Sequence, residues 1–116
     1  MNNVGEKGEN IACDFLVKNG YNILEKNFKV LFGEIDIIAE KKNCICFIEV
    51  KSRKSKKYGL PEEAITLKKK NKIRRVAEYF IQKRQLKNKI YRFDVISIYF
   101  KENILKEFRH IRNAFN

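Results

Sequence analysis

The sequence is poor in the residues of zinc and redox chemistry. Its 116 residues include one histidine, His110, and three cysteines, Cys13, Cys44 and Cys46. An odd cysteine number, with two of the three in an apolar stretch, does not make a disulfide framework. Cys44-Ile45-Cys46 has only the distant His110 to complete it, and zinc needs about four well-spaced ligands. Free buried thiols are the expectation. No apolar run approaches the ~18 residues of a bilayer span. Met1-Asn2-Asn3-Val4-Gly5-Glu6 lacks the basic-then-apolar layout of a signal peptide. A cytoplasmic protein with no membrane segment is expected. With one proline, five glycines and neither repeat nor low-complexity tail, residues 1–116 read as one domain with a modest core.

Positive charge is abundant, with a formal net charge of +12. Residues 1–50 carry six basic and eight acidic side chains, whereas residues 51–75 carry eleven basic and two acidic. Such a block attracts polyanions, so nucleic acid is the expected partner. A merely solvated surface in a lysine-rich chain is the alternative.

Ile11, Ala12, Phe15 and Leu16 recur at helical spacing and predict a helix over about 5–19, stopped by Gly20. Strands are expected over Tyr21 to Val30, Glu34 to Glu40 and Cys44 to Lys51, with Asn22 and Asn27 weakening the first. Residues 52–60 read as a basic loop. Pro61, followed by Glu62 and Glu63, suits the start of a second helix running to Arg84 or Leu86. Ile90 to Phe100 predicts a strong strand, and Ile104 to Ile111 a last, edge strand. The order is αβββαββ, an α/β fold.

The second and third strands carry the chemistry. Residues two apart in a strand share a face, so Glu34 pairs with Asp36 and Glu49 with Lys51. If Lys42-Asn43 is a two-residue turn, Asp36 lies opposite Glu49 and Glu34 opposite Lys51. Two facing carboxylates destabilise an isolated sheet by up to about 1 kcal/mol. A divalent cation between them reverses that sign. Lys51 would then point into the same site, to orient water or stabilise charge on a phosphate. Ordinary polar positions on a half-exposed sheet are the alternative.

An aspartate followed on the next strand by Glu49-Val50-Lys51 resembles the core motif of the PD-(D/E)XK nuclease superfamily. Gly5, Gly8-Glu9, Ala12, Asn27, Gly33-Glu34-Ile35-Asp36, Phe47-Ile48-Glu49-Val50-Lys51, Arg53, Gly59, Lys69, Arg92-Phe93-Asp94-Val95 and Asn113-Ala114-Phe115 resemble, in that order, the YraN-like family of uncharacterised bacterial proteins similar to endonucleases. The resemblance covers nearly the whole chain. It implies a restriction endonuclease-like fold, with a mixed central sheet flanked by helices. It implies that Asp36 and Glu49 bind Mg²⁺ or Mn²⁺, that the Val50 carbonyl joins them, and that Lys51 is catalytic. Glu9 matches the extra acid of Holliday-junction resolvases. Two departures stand out: no proline precedes Asp36, and Lys70 stands where glutamine is frequent.

The residues themselves bear on two of these roles. Ile65, Lys69 and Ile73 fall at i, i+4 and i+8, which turns Lys69 toward the sheet as a site residue or a snorkelling side chain. Glu9 borders the buried stripe of the first helix, as a site residue or an acid favoured by the helix dipole. Arg53, Lys54, Lys56, Lys57, Lys68 and Lys72 would meet backbone phosphates, and Tyr58 would stack on a base or pack in its loop. Arg92 and Asp94 are read as a structural ion pair, and His110 has no assigned role. The expected activity is phosphodiester hydrolysis in DNA, double-stranded or branched. Cutting both strands of a junction implies a homodimer. The alternatives are a nucleic-acid-binding module that keeps the fold without cutting, and an accessory factor acting through a protein partner.

Overall fold

In the computed structural model, which describes residues 4–55 and 65–116, two helices and five strands follow the order α1 (Val4–Lys18), β1 (Asn22–Val30), β2 (Gly33–Lys41), β3 (Cys44–Arg53), α2 (Leu67–Arg84), β4 (Ile90–Lys101) and β5 (Ile104–Phe115). The strands form one sheet in the order β1-β2-β3-β4-β5. All neighbours are antiparallel except β3 and β4, which are parallel and joined across α2. A parallel pair needs such a crossover, and a helix supplies it. The αβββαββ order and mixed sheet are as the sequence implied, and β5 is an edge strand.

The two helices cover opposite faces. Ala12 and Leu16 of α1 pack with Ile37, Cys46, Ile48, Ile96, Ile98 and Phe100. Ile73, Val76, Ala77 and Phe80 of α2 pack with Ile35, Ile38, Ile45 and Phe47. The central strand β3 is therefore buried on both faces, and Ile45 through Ile48 are all inaccessible to within 1%. A strand covered on both sides reads as a continuous apolar run, without alternation. Cys46 lies in that run, and burial pushes its thiol up to about 12. All three cysteines are free.

Element ends differ from expectation for local reasons. Tyr21 is not a strand residue. Its N–H bonds the Leu16 carbonyl (2.9 Å) and that of Gly20 the Val17 carbonyl (3.1 Å), around Gly20 at φ 87°. This is the Schellman closure of α1, with Tyr21 packed back on the core. The strand β3 runs two residues beyond Lys51, because Ser52 and Arg53 pair with Ile98 and Tyr99 of β4. Helix α2 starts at Leu67, not Pro61. Thr66 caps it, its hydroxyl accepting the Lys69 N–H at 3.1 Å. Ile65 precedes the helix yet is buried. Lys56, Lys57, Tyr58, Gly59, Pro61, Glu62 and Glu63 lie outside the described residues. Finally, β5 extends to Phe115, whose ring stacks on Phe93 at 5.0 Å. Among the described residues no helix is long and apolar enough to cross a membrane.

Helix α1 approaches β3 closely at Gly8. A Cβ there would lie 1.8 Å from the Ser52 hydroxyl oxygen and 3.1 Å from its Cβ. That hydroxyl is buried without a hydrogen-bond partner. Gly8→Ala gains helix propensity of up to ~1 kcal/mol, so a net loss reports the clash. We expect Gly8→Ala to lower the free energy of unfolding by about 1–3 kcal/mol. Ser52→Ala alone should be near neutral, since it removes an unpaired buried group. The double variant should recover at least half of the loss in urea denaturation.

Candidate active site

The site forms where β2 and β3 part. Their ladder runs from Lys41↔Cys44 to Ile37↔Ile48, the register of the two-residue Lys42-Asn43 turn. One step further the ladder stops, and Asp36 and Glu49 are not backbone partners. The Val50 N–H instead donates to the Asp36 carboxylate at 2.8 Å. Glu34, expected opposite Lys51, lies beyond the end of that ladder too, and pairs only on the other edge of β2, with Lys29 of β1. The Asp36 side chain thus occupies the gap between diverging strands, against the Glu49 side chain, with which it shares a hydrogen bond. Because a strand residue's N–H and C=O point to the same side, the Val50 carbonyl faces that gap too.

Glu49 is 6% exposed and binds two cations: Lys69 Nζ lies 3.4 Å and Lys51 Nζ 3.8 Å from its Oε2. Lys69 therefore reaches the site from the first turn of α2, while Lys51 reaches it from β3 itself. The capping of α2 by Thr66 fixes where that first turn begins. Glu9 approaches from α1 on the other side. Burial, then the charges of Asp36 and Glu34, hold its carboxyl above the ordinary range, against a hydrogen bond from Asn27. Asp36, Glu49, Lys51 and Lys69 come together, and Glu9 stands near enough to Asp36 for their charges to interact.

Asn27 was missed as a site residue. It lies on β1 between the pairs Lys26↔Ile37 and Phe28↔Ile35, beside Asp36, with φ at 51°. Asparagine tolerates this left-handed conformation better than most residues. Its poor fit to a strand was the available signal. His110 was also missed, as a structural residue. The buried Asp94 accepts two bonds from the Arg92 guanidinium (both 2.9 Å), one from the Asn113 N–H (2.9 Å), and lies 2.8 Å from His110 Nε2. Burial alone would raise the Asp94 pKa, but these donors hold it below the ordinary range. Arg92 and Asp94 form the expected ion pair, and Tyr21 Oη accepts a further bond from Arg92 at 2.8 Å. Of the proposed phosphate contacts, Lys54, Lys68 and Lys72 are exposed and Arg53 is half-buried.

Asp36 behaves in the opposite way to Asp94. Burial, then the charge and the hydrogen bond of Glu49, push its carboxyl up from 3.8 to about 7, against the Val50 N–H and Lys69. Two oxygen ligands forced together, with a backbone carbonyl beside them, suit a hard cation such as Mg²⁺ or Mn²⁺. Among the described residues no three His, Cys, Asp or Glu side chains form a closed metal cage, so the fit rests on this pair.

The family model for the uncharacterised protein family UPF0102 matches residues 8–98, which span Glu9, the whole Asp36–Glu49 gap and Lys69. The chain belongs to the UPF0102 family. A UPF0102 protein of Caldicellulosiruptor saccharolyticus is 49% identical over 113 residues, covering 97% of this chain and 96% of the relative. One from Clostridioides difficile is 48% identical over 117 residues, covering 99% and 100%. One from Clostridium botulinum is 51% identical over 114 residues, covering 97% and 93%. In these three alignments the match covers 93–100% of the UPF0102 relative.

The raised Asp36 pKa predicts a pH effect. Between about 4 and 7 the folded protein binds a proton that the unfolded chain has released, so stability falls as pH rises through that window. In EDTA, Asp36→Asn, which keeps an acceptor for Val50 and a donor for Glu49, should flatten this slope. At pH 8 the variant should exceed the unmodified protein by up to about 4 kcal/mol, and near pH 4 the two should agree. Urea denaturation across pH measures both.

Proposed function

We propose that this chain is a metal-dependent nuclease of the PD-(D/E)XK type that hydrolyses phosphodiester bonds in DNA. The observation that carries the reading is the Asp36–Glu49 pair, two carboxyls held in one gap at a cost to the fold, with Lys51 and Lys69 on the Glu49 side. A protein that only bound nucleic acid would gain nothing from aiming buried acids at phosphates. Asp36, Glu49 and the Val50 carbonyl would hold Mg²⁺ or Mn²⁺, which supplies neutralisation of the scissile phosphate and a lower pKa for attacking water.

The chain's own residues do the rest. Lys51 and Lys69 meet phosphate oxygens beside Glu49, where burial on one side strengthens each charge. Glu9, with its carboxyl above the ordinary range, takes up or returns a proton at the edge of the site. Lys54, Lys68 and Lys72 hold the DNA backbone without reading its sequence.

Mg²⁺ should raise the melting temperature of the unmodified protein and leave those of Asp36→Ala and Glu49→Gln unchanged. Both variants should lose at least about 100-fold in Mg²⁺-dependent cleavage of nicked, flapped or four-way-junction DNA, yet keep salt-dependent DNA binding. Full cleavage by Asp36→Ala refutes the reading. Binding without any metal response or cleavage favours a non-catalytic nucleic-acid-binding module.

A further inference from the structure

The loop between β1 and β2 breaks the rules of a hairpin. Val30 and Gly33 pair, leaving the two-residue turn Leu31-Phe32. Such turns ordinarily use Asn, Asp and Gly with positive φ. Neither residue here has positive φ, and both are large and apolar. Phe32 is anchored, with Arg75 over its ring at 4.8 Å and Tyr79 edge-on at 6.0 Å. Leu31 is not: its relative exposure of 103% is the highest of the exposed large hydrophobics among the described residues. The tip has a fixed root, because α2 presses on Gly33 so closely that a Cβ there would lie 2.9 Å from Val76 Cγ2.

Leu31 and Phe32 also border an open cavity of about 480 Å³, whose charged lining is Lys29, Lys72, Arg75 and the single acid Glu34. An excess of cations around an apolar projection suits a polyanion that carries flat apolar faces. Nucleic acid is such a ligand, with phosphates for the cations and base faces for Leu31. The location agrees. Leu31 precedes Asp36 by five residues, at most ~17 Å along a strand and about five base steps. Lys72 follows Lys69 by about one turn of α2.

We propose that the Leu31 tip is a wedge that takes an unpaired or splayed base at a branch point of DNA, while Lys29, Lys72 and Arg75 hold the flanking phosphates. In a fully paired duplex every base face is already stacked, so the wedge gains contact only where stacking is interrupted. The proposal rests on the nuclease reading and narrows its substrate class to branched or frayed DNA.

The test is binding in EDTA, so that cleavage plays no part. Forked and fully paired DNA of equal length are compared, with 2-aminopurine at the branch nucleotide. The unmodified protein should bind the fork about tenfold more tightly and change the 2-aminopurine fluorescence. Leu31→Asn, a residue the turn accepts, should keep the melting temperature, bring fork binding down to the duplex level and abolish the fluorescence change. Arg75→Ala should weaken both substrates alike. Equal fork and duplex binding by the unmodified protein overturns the wedge, as does a fork preference that survives Leu31→Asn. So does a dimer in sedimentation that Leu31→Asn dissolves, which would make the tip a contact between copies. Failure of the nuclease reading is seen separately, as absence of Mg²⁺-dependent cleavage by a protein that still prefers forks.

Discussion

The bond from the Val50 N–H to the Asp36 carboxylate is the constraint on which the site depends. A strand that parts from its neighbour leaves backbone groups without partners, and burying them unpaired is costly. Here the side chain of Asp36 replaces the missing backbone acceptor. That substitution lets β2 and β3 diverge, and it also fixes a carboxylate inside the gap. Glu49 then has no choice of neighbour. Its own strand is held by β4 across ten consecutive pairs from Cys44 to Arg53, so it stays against Asp36 even though two acids repel. The site is a local defect in the sheet, maintained by the regular pairing around it.

Two aspartates of the sheet, the buried Asp94 and the half-buried Asp36, are in contrary states. Asp94 is surrounded by donors: a guanidinium, an imidazole and a backbone N–H. Its charge is fully answered, and it ties β4 to β5 and, through Arg92 and Tyr21, to the end of α1. Asp36 has one backbone donor and a second acid, so its charge is under-compensated. The first arrangement stabilises a fold. The second stabilises it less than an apolar pair would. The contrast lies in the donors that each carboxylate meets, three for Asp94 and one backbone N–H for Asp36.

Much of the fold was legible in the sequence because its signals are local. The apolar spacing of Ile11, Ala12, Phe15 and Leu16, the Gly20 stop and the Lys42-Asn43 turn each act within a few residues, and that turn set the β2–β3 register correctly as far as Ile37↔Ile48. Lys69 could be placed because helical periodicity turns it toward the sheet. What failed depended on partners far along the chain. Ser52 and Arg53 look like loop residues but are recruited by β4. Residues 112–115 extend β5 because Asp94 and Phe93 hold Asn113 and Phe115. His110 carries no local signal, since Asp94 lies sixteen residues away and the Phe15 and Tyr21 rings that it meets edge-on lie farther still. Asn27 was visible only as a flaw in a strand.

By itself the sequence determined the element order, the apolar stripes of the helices and the basic central segment, because these follow from periodicity and composition. Only the tertiary structure decided where the ladder stops. Simple register arithmetic put Asp36 opposite Glu49 as a cross-strand pair. The fold instead opened the strands and moved the Asp36 oxygen onto the Val50 N–H. The reason is that strand divergence is set by what each strand packs on: α2 against Ile35 and Ile38 of β2 on one side, α1 and β4 against β3 on the other. No short-range rule contains that competition. The same packing brought Lys69 to the gap from α2 and set Glu9 of α1 within reach of the Asp36 charge.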